Sequence, residues 1–412
     1  MILNYVWVLF ILAAFVIGLV RLVFFGDTEI FPAMVNGTFS SAKTGFEVAL
    51  GLTGALTMWM GILRIGEKAG AIRFLGRIIS PFFSRLFPAI PKDHPALGHI
   101  MLNFSANMLG IGNAATPLGL QAMKSMQEIN TEKETASNPM IMFLALNTAG
   151  FTLVPVSILA LRAQAGAADP SCVFIPIMIA SFFASFAGMI VVAIRQKINL
   201  FDKVLLAWFA GITAFVAGMI ALFLNMSPEK RAVVSNVEGN FILFAVIALF
   251  VTGGVIKKLN VFSIFIDGAK EGFSTAVRII PYLVAMLVAI GVFRSCGALD
   301  YLLAGFAWCF HHIGVNTDFI PGLPVAFMKP LSGSGSQSLV ADILNNKMYG
   351  PDSFVGKMTS VMYASGDTTF YIVALYFGAV GIQKTRYSVT AGLIADAAGI
   401  VAAIVLSYLF FH

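Results

Sequence analysis

Two short polar segments that contain glycine interrupt long apolar runs in this sequence, at residues 109–117 and 331–338. The first combines Gly112, Asn113, Thr116 and Pro117 with alanines, and a proline in that setting breaks a continuous helix. Interrupted backbone at membrane depth is tolerated only inside protein or beside a water-filled cavity. The freed N–H groups of such a half-helix suit a ligand oxygen or an anion. We therefore expect a binding site for a small polar solute where the two segments meet.

The side chains that we expect to contact this solute carry amides, hydroxyls and one carboxylate. They are Asn103, Asn107, Asn113, Thr116, Asn147, Ser332, Ser334, Ser336, Gln337, Asp367 and Thr368. Asn103 and Asn107 are four residues apart and share a helix face. The alternative interpretation is structural, because small residues and asparagines also pack membrane helices tightly against one another.

Four charged residues lie in or beside apolar stretches of the second half: Lys329, Asp342, Asp367 and Asp396. A charge in the bilayer core costs at least ~2.5–3.5 kcal/mol on insertion scales, so these groups are expected to face a cavity or to pair. Lys329 is a candidate partner for Asp367, which could instead bind a coupling proton or cation. For Lys329 and Asp342, a place at the membrane surface is an equal alternative.

The composition explains why helices in a membrane must position these residues. Of the 412 residues, 58% are hydrophobic and 11% are charged, whereas soluble domains carry about 25% charged residues. Blocks without any Asp, Glu, Lys or Arg approach or exceed the ~17–25 residues of a spanning helix. They are 5–20, 48–63, 139–161, 171–194, 204–226 and 241–256. The sequence therefore predicts an all-α polytopic membrane protein.

Charge and cysteine content exclude several other classes. The net charge of +6 comes from basic residues in short connectors, as the positive-inside rule expects, so we predict no nucleic-acid partner. The three cysteines show no CxxC or Cys/His spacing, and we predict neither a metal nor a cofactor. No nucleotide-binding or zinc-hydrolase motif is present, so an enzyme is not expected.

Two sequence matches indicate an internal repeat, with chance similarity between apolar segments as the alternative. Residues 42–46 match 269–273, and residues 70–75 match 297–302, both at an offset of 227. A basic stretch follows the predicted helix at 47–64, but its counterpart after Phe293 has only Arg294 before Lys329. The positive-inside rule places these stretches on opposite sides, so we predict two inverted repeats, each with a re-entrant or broken-helix hairpin.

Residues 91–96 and 103–117 resemble spore maturation protein A, and residues 328–335 and 366–371 resemble spore maturation protein B. The resemblance covers nearly the whole chain, as a fusion of the two. It implies a multi-pass protein of the bacterial inner membrane with nucleoside-recognition, or gate, domains at 1–200 and 261–412, joined by a helix pair at 201–260. It also implies a homo-oligomer in contact with membrane lipid. Ser336 and Gln337 depart from the B-type pattern, which weakens any anion-binding role for this segment.

The function that we expect is passage of a small polar solute, nucleoside-like or derived from the cell envelope, between the two polar segments. The alternative is a non-transporting scaffold or accessory factor in cell-envelope or peptidoglycan metabolism, in which the two segments would pack without water between them. A membrane hydrolase is a third interpretation. It would need a histidine, such as His311 or His312, within hydrogen-bond reach of Ser334 or Ser336.

Overall fold

The computed structural model describes residues 2–91, 93–226, 228–312, 314 and 316–412. Within these residues the chain is helical and contains no β-strand, which confirms the all-α prediction. The helices are α1 Ile2–Phe25, α2 Ile30–Ala69, α3 Ala71–Leu86, α4 Pro95–Met108, α5 Gly112–Glu128, α6 Asn138–Ala149, α7 Val156–Gln164, α8 Phe174–Gln196, α9 Lys203–Leu224, α10 Pro228–Ile256, α11 Val261–Ser295, α12 Ala298–His312, α13 Leu323–Met328, α14 Gly333–Leu344, α15 Phe354–Ala364, α16 Thr369–Ala379 and α17 Ser388–Phe411.

The chain is a multi-pass membrane protein. Among the described residues, seven helical segments are long and apolar enough to cross a bilayer. They are Tyr5–Phe25, Ile30–Ala69, Pro170–Gln196, Lys203–Leu222, Val237–Ile256, Val261–Ser295 and Ser388–Phe411. Large apolar side chains on the outer helices face away from the protein, as with Phe24 on α1 and Phe244 on α10, which are 78% and 71% exposed. Such surfaces are stable in lipid and unfavourable in water.

The longest helices, α2 and α11, pack antiparallel along most of their length. At 40 residues, α2 is about 60 Å long, roughly twice the thickness of the hydrocarbon core. The predicted helix at 47–64 was therefore too short. Glycines bring the two backbones close, because a Cβ on Gly45 would lie 3.0 Å from Val284 Cα and one on Gly272 would lie 2.8 Å from Thr57 Cα.

The same order of elements occurs in segments 30–196 and 261–411: a long helix, a shorter helix, two interrupted helix pairs and a closing helix. The contacts Gly45–Val284 and Thr57–Gly272 are related to each other by the offset of 227 residues. Gly70 and Gly297, separated by the same offset, both have positive φ, at 90° and 84°, and each ends the long helix of its segment.

Four helix pairs are interrupted in the interior: α4–α5, α6–α7, α13–α14 and α15–α16. The break in the first polar segment lies at 109–111 rather than at Pro117, which sits inside α5. Gly110, at a φ of 72°, makes this turn. The apolar block at 139–161, which we expect to form a helix interrupted by polar residues at Asn147 and Thr152, is divided. Gly150 ends α6 in the left-handed conformation, and α7 begins at Val156.

Helix α6 lies at the centre of the fold, where Pro139 through Ala149 are all buried. The closing helices α8 and α17 cross antiparallel beside it, with Gly188 against Ala395 and Gly399 against Ala184. These small residues permit close backbone approach. The core therefore holds the broken helix α6–α7 against elements of both segments.

Candidate functional site

The backbone groups freed by the breaks bond to one another in the interior. Asp367, between α15 and α16, donates its N–H to the carbonyl of Thr148 at 2.7 Å. The Leu153 N–H reaches the Met108 carbonyl at 2.6 Å. Buried backbone groups must be paired. These contacts therefore satisfy some of the N–H and C=O groups that the interrupted helices leave without a partner inside the helix. The Asp367–Thr148 contact also brings a break of the second segment against the last turn of α6 in the first.

A cavity of about 250 Å³ lies beside these breaks. Residues of both segments form its walls. The lining contains polar side chains as well as the backbone of glycines and short loops. The lining residues are Asn107, Gly110, Thr152, Val154, Pro155, Val156, Ser157, Ile158, Lys329, Gly333, Ser336, Tyr363, Ala364, Gly366, Asp367 and Thr368. We call this space the central cavity.

Asp367 is the acidic side chain that lines the central cavity, and it is exposed to that space although it follows a buried helix. Its Oδ1 atom accepts the backbone N–H of Thr368 at 2.8 Å, which fixes the orientation of the carboxylate. Asp342 lies elsewhere, where the Arg294 guanidinium binds it, with Nη1 2.8 Å from Oδ1. Of these two carboxylates, only Asp367 is positioned to meet a solute.

Lys329 lies in the protein interior, at 2% exposure, so the alternative of a membrane-surface position is wrong. Its Nζ atom donates to Ser365 Oγ at 2.5 Å. Asp396 and Asp367 are the carboxylates that act on it electrostatically. Lys329 and Asp367, the candidate pair, do not form a direct ion pair in the described structure. The Lys329 ammonium forms no contact within 4.0 Å with either carboxylate.

A hydrogen-bonded network of amides and one phenol supports the wall of the central cavity. Asn107 Nδ2 donates to Asn147 Oδ1 at 2.8 Å, and Asn147 in turn donates to the Phe143 carbonyl of its own helix. The Tyr376 hydroxyl on α16 lies 3.4 Å from Asn103 Nδ2 and 3.5 Å from Asn147 Oδ1. Asn107 is therefore held in place by residues of both segments.

The structure separates the eleven predicted site residues into groups. Asn107, Ser336, Asp367 and Thr368 line the central cavity, but of these Ser336 and Thr368 are buried, whereas Asp367 is exposed and Asn107 is half-buried. Ser332 and Ser334 line a neighbouring cavity, described below. Four others do not line either one: Asn103 and Asn147 are buried in the supporting network, Gln337 is buried on α14, and Thr116 is half-buried on α5. The predicted site residue Asn113 has a side chain outside the described residues. Solute contact by any of the eleven stays a prediction.

The neighbouring cavity measures about 820 Å³ and has a more apolar wall, formed by Tyr282, Leu331, Ser332, Gly333, Ser334, Asp367, Thr368, Phe370, Tyr371, Val373 and Ala374. We call it the lateral cavity. It shares Gly333, Asp367 and Thr368 with the central cavity. Those three residues therefore form the partition between the two spaces.

The serines named in the hydrolase interpretation have other partners. Ser334 Oγ lies 3.3 Å from Ser332 Oγ, and Ser336 Oγ donates to the Val325 carbonyl at 3.4 Å. His312 Nδ1 lies 3.0 Å from the Trp308 carbonyl on its own helix. In the described part of the chain, no three His, Cys, Asp or Glu side chains come together as metal ligands.

Comparisons of the sequence find known proteins that are similar to parts of this chain. A family model described as "Gate: Nucleoside recognition" matches residues 49–165. Spore maturation protein B of Bacillus subtilis (strain 168) is 43% identical over 176 residues, which cover 96% of that protein and 42% of this chain. Spore maturation protein A of the same organism is 39% identical over 167 residues, which cover 85% of that protein and 39% of this chain.

Proposed function

The chain belongs to the family of spore maturation proteins A and B, and from this premise we propose that it moves a small polar solute across the bacterial inner membrane. The solute is nucleoside-like or derived from the cell envelope. The description of the matching family model, nucleoside recognition, supports the first of these classes. The protein acts by binding and passage of its solute, without covalent chemistry.

One observation carries this proposal: the central cavity is lined by polar groups of both segments. Its volume of about 250 Å³ falls just below the ~300–1,000 Å³ typical of pockets for drug-sized ligands. That size suits a small solute. A cavity at the interface of two similar units, built from interrupted helices, is the common site architecture of secondary transporters.

The chemistry of the lining suits a solute with both donors and acceptors. Asp367 accepts hydrogen bonds, Lys329 supplies a cation, and Asn107 offers an amide. The hydroxyls of Thr152 and Ser157 can act in either direction. The lateral cavity continues the path past the partition, and its apolar wall offers little to hold the solute there.

The scaffold interpretation differs in what it requires of the central cavity. A scaffold gains nothing from interior polar groups, which cost free energy when buried without partners. It would pack the breaks against each other without water. The polar lining around an open space is thus the observation that favours transport over a scaffold.

The test is solute uptake into proteoliposomes that contain the purified chain. Nucleosides, amino acids, dipeptides and cell-wall fragments are supplied as labelled probes, under an imposed proton or sodium gradient. We expect uptake of one class, and we expect Asp367→Asn to reduce it at least tenfold because the carboxylate lines both cavities. The matched control is Asp318→Asn, an exposed carboxylate paired with His412, which should leave uptake unchanged.

Two results would count against this function. Absence of uptake of every class by a correctly folded protein would favour the scaffold. Equal uptake by the Asp367→Asn variant and the unmodified protein would remove Asp367 from the mechanism.

A further inference from the structure

Lys329 and Asp367 at the central cavity and Asp396 behind it act on one another electrostatically, and their charges do not balance. Lys329 carries one positive charge, while Asp367 and Asp396 carry two negative charges when both are ionised. The interior of a membrane protein tolerates an uncompensated charge poorly, because desolvation costs several kcal/mol per ion. One additional positive charge is therefore needed for neutrality. Asp367 meets the open space of the central cavity, whereas Asp396 does not.

Asp396 is the sealed member of this cluster. It lies on α17 at 3% exposure, and its Oδ2 atom accepts the Thr369 hydroxyl at 2.5 Å. Its Oδ1 atom is buried without a hydrogen-bond partner. An ionised carboxylate normally accepts several hydrogen bonds, so one oxygen left empty is costly for the charged form. A proton on this oxygen removes the unpaired charge.

The charged groups that act on the Asp396 carboxyl, among the described residues, are Lys329 and Asp367. Two cations on helices packed around α17 lie at its ends. Arg195 on α8 stacks on Tyr387, beside the start of α17, and Lys357 on α15 stacks on Phe411, at its last residue. Neither cation is therefore placed to compensate Asp396. Among the described residues, Lys329 is the cation that acts on Asp396.

Lys329 connects Asp396 to the central cavity, since it lines that cavity and also acts on the Asp396 carboxylate. Ser365, its hydrogen-bond partner, begins the break that carries Asp367. Ser365 also packs on α17, where a Cβ on Gly399 would lie 3.1 Å from Ser365 Oγ. A change of charge at Asp396 therefore changes the electrostatic energy of Lys329, whose hydrogen-bond partner Ser365 begins the break that lines the solute site.

We propose that Asp396 is the proton-binding group of the transport cycle and that Lys329 links its protonation to the solute site. This inference rests on the proposed function. A proton from water on one side binds Oδ1 of the ionised carboxylate and forms a neutral carboxyl, and the same proton leaves to water on the other side. Lys329 remains an ammonium throughout. With Asp396 neutral, the Lys329 charge is balanced by Asp367 and is available to acceptor atoms of the solute.

The arrangement favours a proton over a divalent metal cation. A cation such as Mg²⁺ or Ca²⁺ needs about six oxygen ligands. Asp396 has one carboxylate and accepts the Thr369 hydroxyl, and the Lys329 ammonium acts on it electrostatically. A proton needs one free oxygen and no coordination shell.

The first test detects the proton without any solute. Infrared difference spectra of the purified protein, recorded over a pH titration, report the C=O stretch of a protonated carboxyl in an apolar site. We expect one titrating band that Asp396→Asn removes and Asp367→Asn retains. We expect Lys329→Met to make the Asp396 carboxyl hold its proton roughly tenfold more tightly, since the compensating cation is lost. If Lys329→Met does not fold, Thr369→Val should act in the same direction by removing the hydroxyl donor.

The second test connects the proton to transport. Asp396→Asn should retain solute exchange across proteoliposomes at equal concentrations, but it should lose accumulation driven by a proton gradient. A band removed by Asp367→Asn instead of Asp396→Asn would overturn the assignment. So would unchanged gradient-driven accumulation by Asp396→Asn. If no solute is taken up at all, the proposed function fails while the infrared result still decides the proton site.

Discussion

The backbone N–H of Asp367 donates a hydrogen bond of 2.7 Å to the carbonyl oxygen of Thr148. Asp367 lies in the break between α15 and α16, and Thr148 lies in the last turn of the buried helix α6. The contact therefore joins the interrupted helix of one segment to that of the other at the edge of the central cavity. We expect a movement of the two segments that opens this cavity to break this bond.

The asparagines at the cavity wall should separate solute binding from stability. Asn107→Ala removes an amide that lines the central cavity, and we expect the affinity for the solute to fall about fivefold to tenfold. Asn103→Ala instead removes a fully buried amide that bonds the Ala115 carbonyl at 2.8 Å. It should lower stability by about 1–3 kcal/mol and leave affinity nearly unchanged. Ligand titration and thermal unfolding of both variants measure the two effects, and a reversed pattern would contradict the assignment.

The partition between the two cavities should be sensitive to one methyl group. A Cβ on Gly333 would lie 3.0 Å from Thr368 Oγ1, so Gly333→Ala narrows the passage. We expect solute binding to survive and the uptake rate to fall at least tenfold. Gly378→Ala on α16 is the control, because its Cβ would meet open space.

A double variant tests whether the narrowing itself is the cause. Adding Thr368→Ala to Gly333→Ala removes the opposing hydroxyl and should restore part of the uptake. If Gly333→Ala transports at the normal rate, these three residues do not form the passage.

The contact between α2 and α11 should depend on its glycines. A Cβ on Gly272 would lie 2.6 Å from the Leu56 carbonyl, so Gly272→Val must push the helices apart at a cost of about 1–3 kcal/mol. Gly54→Ala on α2 meets open space and should be neutral or slightly stabilising. Thermal unfolding in detergent compares the two variants. Equal melting temperatures would contradict the close packing.

Arg162 should be needed for stability through its geometry as well as its charge. It is fully buried on α7, and its guanidinium donates to the carbonyls of Pro351, Asp169 and Pro170. A lysine cannot reproduce this planar set of donors, so Arg162→Lys should lose most of what Arg162→Ala loses, about 3–5 kcal/mol. Exposed Arg73 is the control, and Arg73→Ala should change stability by less than about 0.5 kcal/mol. Full rescue by lysine would contradict this role.

The sequence predicts a helical membrane protein because its long uncharged blocks fit a bilayer, where each segment must pair its own backbone groups. It also marks two of the interior breaks, through Asn147 and Thr152 in one apolar block and Asp367 and Thr368 in another. It does not predict that α2 starts at Ile30, since residues 30–46 include polar residues such as Asn36 and Lys43 that resemble a connector. Packing against α11 stabilises that part of the helix.

The candidate site is predicted less completely. Tyr376 contacts Asn103 and Asn147, but a tyrosine in an apolar helix gives no indication of its partner. The first break lies at Gly110, which has a positive φ. From the sequence, the break is predicted at Pro117 because proline usually breaks a helix, but Pro117 lies inside α5. The sequence alone fits Lys329 equally well at the membrane surface and in the protein interior. Only the tertiary packing distinguishes these cases.

The most direct test of the solute cavity is cysteine accessibility in membranes. In a background with Cys172, Cys296 and Cys309 replaced, the Thr152→Cys and Thr148→Cys variants are exposed to a membrane-impermeant thiol reagent. Thr152 is half-buried and lines the central cavity, whereas Thr148 is 1% exposed and does not. We predict that Thr152→Cys is modified, that the transported solute protects it, and that Thr148→Cys is not modified. Resistance of Thr152→Cys equal to that of Thr148→Cys would contradict a hydrated cavity between the two segments.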